Sequence, residues 1–351
     1  MRSASFLALT AAAVTSLTLL AAPNLAAQAA PTQDAPALTT EGTESTPTRV
    51  RVATFNVRTA RADIGTTRQW LHRALSVAQE IDRANPGIVS IQELGPGRAD
   101  GQRISVGDGL RQTTSLLKEL DSIGADRYQL TRTTAYVEPG AYHGTQGPRI
   151  LFDKTKYRLV SNCVETTGKS NWNPSCAMVM PTVKAVAPIS AAYAEFEDRS
   201  TGRNFFVISA HLDSRHSSTL STEKSYDALR AAQASAIYAK VNSLADGKPI
   251  IFGGDINSWR TKAGSHAPYN YLYGKGFREA AAKAPSKINA QYPTVNHWYT
   301  TLKANAAGRQ VALDVVMLNR GKSFSTYENV MKVVDSSRPS DHNMVVADLT
   351  L

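Results

Sequence analysis

From Arg49 to Val57 the chain reads RVRVATFNV, with polar and apolar positions alternating and then merging into an apolar run. That pattern predicts a central strand. Between Thr66 and Ala84 the period changes: Trp70, Leu71, Leu75, Ala78 and Ile81 fall at helical spacing, and Asn85-Pro86-Gly87 supplies the stop. Ile88 to Gln92 is a second short apolar strand, after which a glycine-rich loop, LGPGRADGQRISVGDGL, leads into a helix over residues 111–123. The middle of the chain carries strand patterns at 149–153, 157–160, 177–186, 191–197 and 204–210. A long amphipathic helix is predicted over 222–244, with Tyr226, Leu229, Ala232, Ala236 and Val241 on one face. Residues 249–252 read as a buried strand running into Gly253-Gly254-Asp255, and further strands are predicted at 313–318, 325–330 and 344–351. No internal repeat at a fixed period is present. Many successive strands lack an intervening helix, which argues against a purely parallel sheet. The pattern predicts an α/β (α+β) fold in which two mixed sheets pack face to face with helices outside, in one domain.

The ends of the chain follow different rules. Arg2 precedes an apolar stretch from Phe6 to Ala22, and Ala27-Gln28-Ala29 offers small residues for cleavage, the layout of a secretory signal peptide over residues 1–29. A membrane anchor is the alternative, but the run is Ala-rich and short for a span. Residues 30–48 are rich in Thr and Pro without an apolar period and read as a disordered linker, leaving 49–351 as the folded domain of a secreted protein. With 351 residues, 42% of them hydrophobic, the chain can build a large core. Cys163 and Cys176 are the two cysteines, and in an exported protein they are expected to pair as one disulfide around a surface loop. Lys and Arg outnumber Asp and Glu by 39 to 29, a formal charge of +10. Such a balance suits a polyanionic partner, nucleic acid or an anionic lipid surface, although the charges are scattered.

Polar residues gather where the predicted strands end. Asn56 closes the first, Glu93 follows Gln92 at the end of the second, and His211 and Asp213 follow Ala210. Asp255 and Asn257 follow Phe252, Asp314 sits within an apolar run, and Asp341-His342 precede the last strand. Ligands in sheet proteins collect at such strand ends. Taken one at a time these residues are ordinary: GDIN is a plausible Asx-turn with glycine at positive φ, and a lone strand-end histidine is more often structural. Asp314 says more, because a buried carboxylate is costly without a partner, and His342 is able to be that partner.

Together the motifs T-F-N-V (54–57), S-I-Q-E-L (90–94), S-A-H-L (209–212), G-G-D-I-N (253–257), L-D-V-V (313–316) and S-D-H-N (340–343) resemble those of the endonuclease/exonuclease/phosphatase superfamily, in the family's order. The resemblance spans nearly all of residues 49–351. It implies a DNase I-like four-layer sandwich and hydrolysis of a phosphate ester by an activated water, assisted by Mg²⁺, with Mn²⁺ or Ca²⁺ as alternatives. Oxygen-rich side chains suit such hard cations. By resemblance Glu93, Asn56, Asp341 and Asp255 face the metal. Asp255 and Asn257 position the water and the phosphate, and His211 donates to a phosphate oxygen. His342, oriented by Asp314, acts either as general base or as a cation facing the transition state, two roles that need opposite protonation.

Departures from the abasic-site repair branch are Arg58, where that branch has Asp, and His211, where it has Tyr. They point to the secreted nuclease, sphingomyelinase and phosphatase branches, with Arg58 and Arg149 as candidate substrate contacts. A nuclease acting on DNA or RNA is the first expectation, supported by the charge, by Arg98, Arg103 and Arg111 around the glycine-rich loop, and by Tyr142 and His143 before a strand. A sphingomyelinase C-type phospholipid phosphodiesterase would use Trp172 or Trp298-Tyr299 as an apolar tip. A phosphomonoesterase on sugar or inositol phosphates and a catalytically dead binding module complete the field. No stable protein partner is implied, and a monomer is expected.

Overall fold

In the computed structural model the alternating segments pair into two seven-stranded sheets. The structure describes residues 46–95, 97–102, 109–131, 147–163, 176–183, 189–260, 264–305 and 312–351. In chain order the first elements are β1 (Arg49–Asn56), α1 (Trp70–Ala84), β2 (Ile88–Gln92), α2 (Gln112–Ser122), β3 (Tyr128–Leu130) and β4 (Arg149–Asp153). Next come β5 (Tyr157–Leu159), β6 (Ala177–Val179), β7 (Ser190–Asp198), β8 (Asn204–His211), α3 (Leu220–Ala245) and β9 (Ile250–Asp255). The last are α4 (Ala267–Gly274), β10 (Arg278–Glu279), α5 (Ala280–Lys283), β11 (Ser286–Ile288), β12 (Asp314–Asn319), β13 (Ser323–Val330) and β14 (Met344–Thr350).

One sheet runs β11-β13-β14-β1-β2-β4-β3; the other runs β10-β12-β9-β8-β7-β5, with β6 paired to β7. Where a long helix intervenes, the flanking strands are parallel, as in β1–α1–β2 and β8–α3–β9. Where only a turn intervenes, as between β7 and β8, they are antiparallel. A first apolar cluster, including Val52, Ile88, Val207, Ile251 and Val345, fills the space between the sheets. A second packs Trp70, Val77, Ile81 and Leu116 of α1 and α2 against Phe55 and Ile91. The third packs Ile237 and Val241 of α3 against Ile208 and Phe252. The architecture is therefore helix, sheet, sheet, helix, the four-layer α/β sandwich expected, and Ser45–Leu351 form one compact unit.

At one end the two sheets come unusually close. A Cβ on Gly253 would lie 2.5 Å from Ser90 Oγ of the opposite sheet, and one on Gly254 would lie 2.4 Å from the carbonyl oxygen of Ala210, its neighbour in the same sheet. Neither glycine has positive φ. The GGD motif thus needs glycine for proximity, not for the turn conformation expected. Small residues here let hydrogen bonds cross between sheets: Ser90 Oγ donates to Ile208 O at 3.0 Å, and Ser209 Oγ donates to Ile91 O at 3.0 Å. Gln92 Nε2 adds a third, to Ser209 Oγ at 3.3 Å.

Some expectations need correction. Helix α1 begins at Trp70, not Thr66, because the preceding segment is taken up by turns closed by Thr66 N to Asp63 O and Gln69 N to Thr66 O. The strand predicted at 177–186 ends at Val179. The buried stripe of α3 is Glu223, Asp227, Arg230, Gln233, Ala234, Ile237, Val241 and Ala245, while Leu229 and Ala232 are not buried. Its N-terminal half buries a charged network, which an apolar period cannot reveal. Cys163 and Cys176 form the expected disulfide, with Cα atoms 5.4 Å apart. The signal peptide, most of the linker, the loop residues 164–175 with Trp172, and Arg103, Tyr142 and His143 lie outside the described residues.

Candidate active site

Strand register assembles the site. In the second sheet His211 of β8 pairs with Asp255 of β9, and Asp255 pairs with Asp314 of β12. Residues directly opposite one another share a sheet face, so three distant positions form one row. In the first sheet Asn56 ends β1 beside Gln92, and β14 starts just after Asp341-His342. Glu93 follows β2 with φ 59°, a left-handed turn that takes it out of the strand direction. Both of its oxygens are then engaged: Thr59 N donates to Oε2 at 2.8 Å and Asn56 Nδ2 to Oε1 at 3.2 Å.

Asp255 Oδ2 is the hub. Asn56 Nδ2 donates to it at 3.2 Å, while Nε2 of His211 and of His342 lie 3.6 and 3.8 Å away. Asn257, at φ 46°, donates its backbone N–H to Asp255 Oδ1 (3.0 Å) and its Nδ2 to Leu212 O (3.0 Å). Ser340 Oγ donates to Asn56 O at 2.7 Å, fastening the loop before β14 to the end of β1. The hydroxyl oxygen of Thr294 accepts from the backbone N–H groups of Leu313 and Asp314, fixing the start of β12. The structure therefore brings Asn56, Glu93, His211, Asp255, Asn257, Asp314 and His342 into one connected cluster.

His342 Nδ1 faces both oxygens of Asp314, at 2.9 and 3.2 Å, and both residues are buried. Burial pushes the Asp314 carboxyl up. For His342 burial pulls downward, but the negative charge of Asp314, its hydrogen bond, and Asp255 and Asp341 outweigh that and raise the ring to about 10. The two tendencies conflict, since an uncharged Asp314 would give the ring no reason to hold a proton. The two-oxygen contact is that of an Nδ1–H donor on an ionised carboxylate, and the negative charge of Asp314, Asp255 and Asp341 around the ring favours a second proton, so we assign the charged pair: imidazolium and carboxylate.

Arg58, expected to contact substrate, is committed elsewhere. Its Nε lies 2.5 Å from Asp63 Oδ2 and its Nη1 2.5 Å from Asp341 Oδ2. Asp341 is thereby held by a protein cation. Arg149 is buried at the start of β4 opposite Ile91, on the far side of β2 from Asn56, and its Nη1 donates to Pro148 O at 3.0 Å.

A cavity of about 900 Å³ opens beside this cluster, bordered by Asn257, Asp341 and His342 and walled by Trp259, Val295 and Tyr299. Three residues near the site carry no motif. His216 lines the same cavity, and Glu223, buried in the first turn of α3, contacts His216 Nδ1. Arg73 lies buried behind the loops, with Nε donating to Arg68 O (2.9 Å), Nη1 to Val57 O and Pro339 O (3.1 Å to the latter), and Nη2 to Arg58 O (2.5 Å). The one signal for Arg73 is its place three residues after Trp70, on the stripe of α1 that faces the core.

The donor set suits a divalent ion. Glu93, Asp255, Asp314 and Asp341 set four carboxylates against the two cations Arg58 and His342, and excess negative charge on oxygen donors is what a hard cation offsets. Asp255, Asp314 and His342 place one ligand atom each within 4.8 Å of one another and could hold such an ion. In that trio His342 Nδ1 is already bonded to Asp314, whereas Glu93 and Asn56 approach Asp255 from the other sheet. Asp255 belongs to both sets.

The chain matches the model of the Endonuclease/Exonuclease/phosphatase family over residues 53–342. Among solved structures it is similar to an endonuclease/exonuclease/phosphatase from Bacteroides vulgatus at 19% identity and TM-score 0.60, covering 87% of this chain and 99% of that one. A mannosyl-6-phosphatase from Bacteroides thetaiotaomicron is similar at 17% identity and TM-score 0.58, over 86% and 100% of the two chains. D. rerio TDP2 complexed with a single-strand DNA product matches at 14% identity and TM-score 0.54, over 86% and 98%. No curated protein sequence matches the chain.

Proposed function

The chain belongs to the endonuclease/exonuclease/phosphatase family of divalent-metal-dependent phosphoesterases, and on that premise we propose that it is a secreted, Mg²⁺-dependent phosphodiesterase that cleaves DNA or RNA. The observation that carries the reading is the junction of the His342–Asp314 pair, Asn257 and Asp341 with a roomy cavity walled by aromatic rings. A nucleotide beside the scissile phosphate would fit such a space, with its base stacked on a ring. The net charge of +10 favours a polyanionic strand.

A bound Mg²⁺, held by Glu93, Asn56 and Asp255, would polarise a phosphoryl oxygen. The chain's own groups do the rest. Asp255 accepts the proton of the attacking water, and Asn257, its backbone locked onto Asp255, orients the phosphate. His211 donates to a non-bridging oxygen from beside Asp255. His342, charged in its pair with Asp314, faces the phosphoryl group as a cation and not as the base, because its site favours the proton. Arg58 holds Asp341 in place in this scheme and does not contact substrate.

A small phosphomonoester is the second reading, since aromatic walls also stack on sugars. Of the apolar tips the phospholipid reading would use, the Trp298 ring is taken up by Arg68 (5.2 Å) and Arg73 (5.9 Å), while Tyr299 stays exposed. Plasmid DNA, RNA, sphingomyelin and mannose 6-phosphate, each assayed with Mg²⁺ and with excess EDTA, separate these alternatives. Metal-dependent cleavage of a nucleic acid supports the proposal. Turnover confined to the monoester, or insensitivity to EDTA, would overturn it.

A further inference from the structure

A second carboxylate-held histidine stands at the cavity, and the scheme above gives it no task. Glu223 is 1% exposed. Burial pushes its carboxyl up, but the Ser217 N–H (2.8 Å), Arg230 Nη2 (2.7 Å) and His216 overcome this and bring it to about 2, so it is ionised. His216 Nδ1 lies 3.2 Å from Glu223 Oε1. With Nδ1 turned to that carboxylate, Nε2 is the ring nitrogen left for the cavity, and among the described residues it has no hydrogen-bond partner. The ring packs on Trp259, centroids 4.7 Å apart, and its side chain keeps 28% of its surface exposed.

The pair is braced from beneath and tied to the hydrolytic loop. Arg230 is fully buried and lies 3.6 Å from Asp227. Asp227 accepts from Ser258 Oγ at 3.1 Å and from the His266 and Ala267 N–H groups at 2.8 and 2.7 Å. Ser258 follows Asn257 directly, so one buried network positions both His216 and the segment that carries Asp255 and Asn257. The nearest other charge on the same loop, Arg215, is turned to Asp213 at 2.9 Å. A histidine serving only to finish the start of α3 would need neither an open ring edge nor a place on the wall shared with His342 and Asn257.

We propose that His216, oriented by Glu223, is a further catalytic residue that protonates the leaving group. This rests on the phosphoesterase reading. As the water oxygen bonds to phosphorus, the phosphorus–ester oxygen bond breaks, and the ester oxygen departs with the electron pair and takes the proton from His216 Nε2. The water's proton passes to Asp255, and solvent restores both groups for the next cycle.

Leaving-group acidity tests this directly. The full chain and its His216→Gln and His216→Ala variants are assayed with Mg²⁺ on thymidine 5′-(4-nitrophenyl) phosphate, whose phenolate departs without help, and on a thymidine dinucleotide, whose alkoxide needs a proton. Loss of about 100-fold or more in kcat on the dinucleotide, with about threefold or less on the nitrophenyl ester, is expected. Equal losses on both, or no loss on either, overturn the proposal, because a merely structural histidine would not discriminate leaving groups. His342→Ala serves as the control and loses both activities. If His342→Ala keeps both, or if the unaltered protein cleaves neither ester, the phosphoesterase reading itself fails and His216 loses its role with it.

Discussion

Replacing Arg73 by methionine probes how the two loops of the site are held. The substitution keeps the aliphatic stem and removes a guanidinium that donates to four carbonyl oxygens, those of Val57, Arg58, Arg68 and Pro339. Hydrogen bonds from a charged donor are each worth about 1.5 kcal/mol at the low end, so four contribute about 6 kcal/mol. Against this stands an unfavourable environment, burial first, which after the partly offsetting pull of Asp341, Asp63 and Glu93 leaves the arginine lowered from 12.5 to about 10, a net cost of about 3 kcal/mol. The variant should therefore be less stable by about 3 kcal/mol, a fall in melting temperature of about 6 °C for a domain of this size. Because Val57 and Arg58 follow Asn56, and Pro339 precedes Asp341-His342, kcat should also fall at least about tenfold well below the melting range, with KM little changed. Calorimetry and initial rates on a nucleotide ester measure both. An unchanged or raised melting temperature together with unchanged kcat would refute the reasoning, showing that the buried cation merely offsets its own desolvation.

Other outcomes follow from the same geometry. Glu93→Ala and His342→Ala should each abolish hydrolysis while leaving circular dichroism unchanged; near-normal turnover in either would remove that residue from the site. Glu223 has its folded pKa depressed from 4.5 to about 2, so it adds stability that is full above about pH 4.5 and lost as pH falls towards 2, by up to about 3 kcal/mol. Acid denaturation of Glu223→Gln should accordingly begin from a lower stability and show a shallower acid limb than the parent. Gly253→Ala should cost about 1–3 kcal/mol, since the new Cβ would meet Ser90 Oγ at 2.5 Å and Ser90 Cβ at 2.6 Å. Adding Ser90→Gly should recover part of that loss in urea titrations.

Much of the frame is legible from local pattern. Strands such as Ile88–Gln92 and Arg149–Asp153 are buried on both faces and read as plain apolar runs. The three-residue β3 and the two-residue β10 are too short to show any period. The site residues are legible because the fold needs them at strand ends, where a polar residue interrupts an apolar run. Arg58 misleads, since its partner Asp341 lies 283 residues away and only the folded chain shows the guanidinium spoken for. His216 and the acidic stripe of α3 stay hidden for a related reason. Glu223, Asp227 and Arg230 look like a solvated helix face until the buried network satisfies them.

The serine and glutamine bridges between β2 and β8 have an implication for how activity arises. Asn56 and Glu93 belong to one layer of the sandwich; His211, Asp255 and Asp314 belong to the other. Neither layer alone holds a base, a cation and a phosphate donor together. A full-length but half-opened chain therefore contains every reactive group yet remains chemically silent, and hydrolytic competence switches on only when the two layers lock.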